Sequence, residues 1–148
     1  MKNLILFMIV CSTSLYASVN VDFIGICQET PLLSDSATFK EEMNLGQATV
    51  EVLIENNVNF QGNEKGINTA FGSPFGDDSI IIVSDTEMKA YGWCFSINGM
   101  VPEVFANEVA LENGDNIVWF YAFAHYKEGE WIAQCSPSWK NPLPKWCD

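Results

Sequence analysis

The chain has 148 residues, 48% of them apolar, which is room for one compact domain with a core and not for a second full domain. Its 19 acidic residues face 7 lysines and no arginine. The clustered Lys and Arg that hold phosphates are missing, which excludes nucleic acid as a partner, and no guanidinium is present to clamp a carboxylate or phosphate ligand. The acids are scattered and read as a solvated, self-repelling surface.

The first residues have the anatomy of a secretory signal. Met1 and Lys2 supply the positive start, Leu4 to Val10 the apolar run, and Ala17 the small residue at the cut, so residues 1–17 are expected to be removed. The run is too short to span a bilayer, and Met8, Ile9 and Val10 are not the small residues that precede a lipidated cysteine at Cys11. Cleavage leaves Cys27, Cys94, Cys135 and Cys147, an even set for which two disulfides are the default in an oxidising compartment. The compact, Pro-bent "SPSWKNPLPKW" favours Cys135–Cys147, and Cys27–Cys94 then follows. A zinc site lacks the paired C-x-x-C or His spacing it needs. The expected product is exported, periplasmic or extracellular, with no membrane span after signal cleavage.

Residues 18–46 form an N-terminal segment. Val19 to Ile26 alternate loosely, as an edge strand does, "QETPLLSDS" is turn-rich, and Thr38 and Glu41 have the spacing of a capping box that starts a short helix through Asn44. "QATVEVLIE", residues 47–55, is rich in β-branched residues and alternates, which predicts a strand with Val50, Val52 and Ile54 inward. The Asn- and Gly-rich stretch from Asn56 to Asp78 allows at most a short helix over Ile67 to Phe71. "SIIIVSD", residues 79–85, is a short apolar run of the kind that predicts a central strand covered on both faces.

In "YGWCFSING" Trp93, Phe95 and Ile97 share one face and Cys94 and Ser96 the other, and Asn98-Gly99 suits a tight turn. "NEVAL" predicts a brief strand, "ENGD" a turn, "NIVWFYAFAHY" a long strand, and "KEGE" a further turn into "WIAQC". The whole reads as α+β, mostly antiparallel β with little helix, over residues 47–135. A Pro- and Trp-rich tail tied by a disulfide follows at 136–148.

The series "GWCFSING" followed by "LENGDNIVWFY" resembles the DUF4430, or transcobalamin-like C-terminal, domains over residues 47 to 126. The residues that carry it are Gly92, Trp93, Ser96, Asn98, Gly99, Gly114, Asp115, Ile117, Trp119 and Tyr121. The resemblance implies a single β-grasp-like domain of the soluble ligand-binding kind. It would place the family's helix between Asn59 and Asp78, where "INTAF" is the nearest match. It also suggests a ligand face on the aromatic strands at Trp93, Asn98, Trp119 and Tyr121, with cobalamin or another corrinoid as the ligand in that case.

Catalytic constellations are thin. The single histidine, His125, follows the parity of Trp119, Tyr121 and Phe123 on an apolar strand, and bridged cysteines leave no thiol nucleophile. Asp77, Asp78 and Asp115 sit in turn contexts, and "NGDN" and "GDDS" supply too few ordered oxygens for calcium. Alternating aromatic strands ordinarily bury one face, so Trp93, Phe95, Trp119 and Tyr121 read first as core. Trp139 and Trp146 give the tail an interaction surface or a cover for the sheet. The function expected is non-catalytic and without a resident cofactor: an exported structural or adaptor module that meets another envelope or extracellular protein. A small-molecule ligand on the aromatic face is the alternative.

Overall fold

The computed structural model describes residues 17–140, 146 and 147. The expected signal sequence, apart from Ala17, lies outside the described residues, as do 141–145 and 148 of the tail. The elements in order are β1 (Ser18–Ile24), β2 (Pro31–Thr38), α1 (Leu45–Glu55), β3 (Phe60–Asn63), β4 (Gly66–Ala70), β5 (Ile80–Ser84), β6 (Glu87–Ile97), β7 (Asn116–Lys127) and β8 (Glu130–Pro137).

One sheet runs in the order β2-β1-β7-β6-β5, and β8 pairs with β7 beyond the end of β1. β1 and β7 are parallel, while the other pairs in the sheet are antiparallel. This is the α+β, β-grasp-like arrangement expected: two parallel central strands, a hairpin at one side, and a helix crossing one face.

A helix stands where the alternating pattern predicts a strand. Residues 47–55 belong to α1, because Leu45, Ala48, Thr49, Val52 and Leu53 form a continuous buried stripe at helical spacing, with Val50 half-buried and Ile54 exposed. The capping box is six residues later than expected: the Asn44 side chain accepts from the Gln47 N–H and the Gln47 side chain accepts from the Asn44 N–H. Thr38 instead ends β2, a strand within the stretch that reads as turn. β1 is an interior strand rather than an edge, with Val19, Val21 and Phe23 fully buried against the helix side. The region of the expected short helix at 67–71 is the hairpin β3–β4, whose strands carry Ile67 and Ala70 into the core.

β5 departs furthest from its reading. It is the terminal strand of the sheet, and Ile80, Ile81, Ile82 and Val83 are all exposed. The expected strand at "NEVAL" is a short 3-10 turn at Ala106–Glu108 and a single bridge from Ala110 to Asn44.

The disulfides are Cys27–Cys147 and Cys94–Cys135, not Cys135–Cys147 and Cys27–Cys94. The cause is a bulge. Phe123 pairs with Ser136 and His125 with Ala133, so Gln134 and Cys135 together stand opposite Ala124. Cys135 takes a left-handed φ of 43°, and its sulfur reaches across β7 to Cys94 on the far neighbour. Cys147 is then left to fasten the tail to Cys27 at the end of β1.

Candidate functional site

The two faces of the sheet have different chemistry. On the inner face α1, the β3–β4 hairpin and Trp146 pack over the aromatics of β6 and β7. Trp119 is 1% exposed and its indole N–H donates to Thr49 Oγ1 at 2.8 Å, while the Thr49 hydroxyl donates to the Leu45 carbonyl. Tyr121 is fully buried, and its hydroxyl donates to the Pro74 carbonyl at 2.9 Å. Burial pushes the Tyr121 phenol well above the ordinary tyrosine range, with the neighbouring Tyr91 adding to the shift, and burial also raises Tyr91.

Both tyrosines stay protonated in the fold at a pH where the unfolded chain ionises. Their contribution to stability is therefore complete below about pH 10, the ordinary tyrosine value, and is lost as the pH rises toward and through the folded values. An absorbance titration of phenolate formation is expected to show Tyr91 and Tyr121 ionising late, Tyr121 only as the protein unfolds. Ordinary ionisation of both in the folded protein would contradict their burial.

The four residues expected to form a ligand face are thus split. Trp119 and Tyr121 are core. Asn98 is a turn clip: with Gly99 it takes positive φ of 50° and 82°, its amide donates to Asp115 Oδ1, and its Oδ1 accepts from the Asn116 N–H. Trp93 is half-buried, donates to Ser73 Oγ at 2.9 Å, and borders open space, to whose wall the buried Trp119 also contributes. In the tail, Trp146 packs edge-on against Tyr91 with centroids 5.3 Å apart, and Trp139 packs edge-on against Phe120. His125 Nε2 lies 2.9 Å from Glu87 Oε1, with Lys127 on the other carboxylate oxygen, and this contact holds the Glu87 carboxyl below its ordinary range.

The open space lies along the outer side of β6. β5 pairs with β6 no further than Ala90, yet β6 continues to Ile97, and no described strand covers that remaining edge. Ile97 exchanges both backbone bonds with Met100 on the side away from β7. By strand alternation Trp93 and Phe95 turn their backbone N–H and C=O groups to the same open side. A slot of about 440 Å³ runs there between the β3–β4 hairpin and the loop after the Asn98-Gly99 turn. The loop supplies an apolar rim, with Met100 72% and Phe105 62% exposed and Val101 and Val104 about half exposed.

The slot is continuous, at Trp93, Val101 and Pro102, with a wider groove of about 800 Å³ on the outer face. The groove has a floor of small residues, Ala90, Gly92, Ala122 and Ala124, with Trp131 and the Cys94–Cys135 bridge at its sides. A Cβ at Gly92 would meet nothing within 4 Å, so the space above the floor is open. Sequence reading placed interest on the aromatics and passed over "MVPEVF". The signal there is an apolar run around a proline, directly after a tight turn, in a loop too short to bury it.

Among the described residues no group of three or more His, Cys, Asp or Glu is placed to hold a metal ion, and no helix is long and apolar enough to cross a membrane. Residues 78–122 match the family model of DUF4430, a domain of unknown function. That span runs from Asp78, just before β5, through β6 and the apolar loop to Ala122 of β7, and so contains the open edge and its rim. A crystal structure of a proposed metal binding protein from Ruminococcus gnavus aligns with 23% identity over 71% of this chain and 95% of its own, with a TM-score of 0.41. No curated protein matches the chain.

Proposed function

We propose that this DUF4430-like chain is an exported, non-catalytic interaction module that docks an extended apolar segment of another envelope or extracellular protein against the outer side of β6. The observation that carries the reading is the run of β6 beyond Ala90. It offers sheet-directed backbone groups with no partner among the described strands, beside an exposed apolar rim at Met100 to Phe105. Strand addition uses this combination: main-chain bonds hold the peptide, and pockets beside the edge choose its side chains. The secretory start and the two disulfides support export. The non-catalytic reading is supported by a histidine already engaged by Glu87 and by cysteines closed in bridges. A small flat ligand would have to use the slot beside Trp93 or the groove over Gly92, because Tyr121 is fully buried and Trp119 is only 1% exposed.

Gly92→Leu and Phe105→Asp test the proposal. Gly92 has no positive φ and empty space at its Cβ, and Phe105 is exposed, so each variant is expected to hold its stability to within about 0.5 kcal/mol. Native mass spectrometry of protein purified gently from its source is expected to show a complex with another chain for the unsubstituted protein and a bare chain for either variant. Complexes that survive both substitutions, or an unsubstituted protein that is always bare, would refute the proposal. A bound small molecule lost in Gly92→Leu would move the reading to a ligand.

A further inference from the structure

β5 ends the sheet on the side opposite β2, and its outer edge pairs with no described strand; it is separate from the slot and unused by the proposed function. Its first four residues, Ile80 to Val83, are β-branched and exposed, Ile82 by 68%, on both faces of the sheet. Proteins normally blunt a terminal strand with charge, proline or a covering segment, and a bare aliphatic edge is a template for another strand. The open side also has the right hydrogen-bonding groups. In β6 the odd-numbered residues face away from β7, so Lys89 bonds toward its partner Ile81. Ile80 and Ile82 therefore turn outward. The Ile80 N–H is already taken by the Asp77 carbonyl, which leaves Ile82 as the central donor and acceptor of the free edge.

Charge decides what fits. Exposed Asp77 and Asp78 stand before the strand and exposed Asp85 after it, in a chain of net charge −12. A second copy pairing antiparallel about Ile82 would set Asp85 of each copy against Ser79 and beside Asp78 of the other, joining two strongly acidic chains at their acidic corners. Like charges at that spacing oppose the pairing. A strand with the same aliphatic character but lysine or arginine at both ends meets the apolar centre and both acidic ends at once. Lys89 lies one strand inward, beside Ile81 and on the opposite face from Ile82, and does not interrupt this pattern.

We infer that β5 is an edge-docking strand for a segment of another protein in which alternating β-branched residues are flanked by basic ones. The acidic ends steer the encounter and select for basic flanks, and the Ile82 backbone fixes the register.

The test uses the disulfide-intact protein and two short synthetic peptides with the same alternating Thr-Val centre, one ended by lysine pairs and one by glutamate pairs. Fluorescence anisotropy is expected to show binding of the lysine-ended peptide at low salt, weakened about tenfold or more at ~0.5 M salt, and none of the glutamate-ended peptide. Ile82→Pro removes the outward N–H while leaving the Ile81 bonds to β6, and is expected to abolish binding. Ile82→Thr keeps a strand former and the N–H and is expected to retain it, which separates loss of the edge from loss of fold. Gly92→Leu and Phe105→Asp are expected to leave this binding unchanged, so failure of the proposed slot and failure of this edge are read independently. Equal binding of both peptides, no binding of either, or a dimer that Ile82→Pro converts to monomer would overturn the inference, the last by giving the edge to a second copy.

Discussion

Cys27→Ala combined with Cys147→Ala is expected to lower the unfolding free energy by about 5 kcal/mol, and Cys94→Ala combined with Cys135→Ala by about 4 kcal/mol, by the entropy of closing loops of this length. The order follows from sequence separations of 120 and 41 residues. Both losses are large beside the ~5–15 kcal/mol that holds a typical domain. They should differ in kind as well as in size. The longer bridge fastens the tail, so its loss is expected to free Trp146 from Tyr91 and Tyr121 and change the near-ultraviolet signal of the indoles. The shorter bridge spans β6 to the bulge of β8 across β7, and its loss is expected to loosen β8 and widen the groove over Gly92. Urea unfolding of the two double variants, with near-ultraviolet dichroism, checks both. A larger loss from the Cys94–Cys135 pair would show that the unfolded chain is not governed by loop closure.

Trp119→Ala is expected to cost about 3–5 kcal/mol, because it empties the centre of the inner face where α1 meets the sheet. The indole is fully packed, lies 5.0 Å from the ring of Phe95, and satisfies the Thr49 hydroxyl. Thr49→Val isolates the polar part of this contact. It leaves the buried indole N–H without its acceptor at nearly constant volume and is expected to cost about 1–3 kcal/mol. Chemical unfolding of both variants measures the two effects. A folded Trp119→Ala of unchanged stability would mean that the residue faces solvent or a ligand and not the core.

Much of the second half of the fold was legible in the sequence. β6, the Asn98-Gly99 turn, β7 and the turn into β8 announce themselves because long runs of aromatic and β-branched residues favour strands, and an Asn-Gly pair has one common use between strands. The helix was hidden by its composition. Its Thr and Val residues favour strands one at a time, and the buried stripe that overrides them begins at Leu45, ahead of the stretch that alternates.

β5 shows the complementary limit. An aliphatic run is the same whether both faces are covered or both are bare, and only the strand order tells which. The disulfide pairing depends on one bulge at Gln134 and Cys135, which no spacing of cysteines reveals. The candidate site shares this difficulty. Its aromatics were visible, but Trp119 and Tyr121 point inward, and the open surface is made by what is missing beside β6 and by small residues such as Gly92 that carry no signal of their own.

In the proposed function the outer side of β6 is where this protein meets its partner. The most direct measurement places a photoreactive benzophenone amino acid at position 104, on the rim of the slot, and in a separate variant at position 54, exposed on α1 away from it. Each variant is produced in its native host and irradiated there. One cross-linked protein of defined mass is expected from position 104 and none from position 54. No adduct at 104, or the same adducts from both positions, would contradict it.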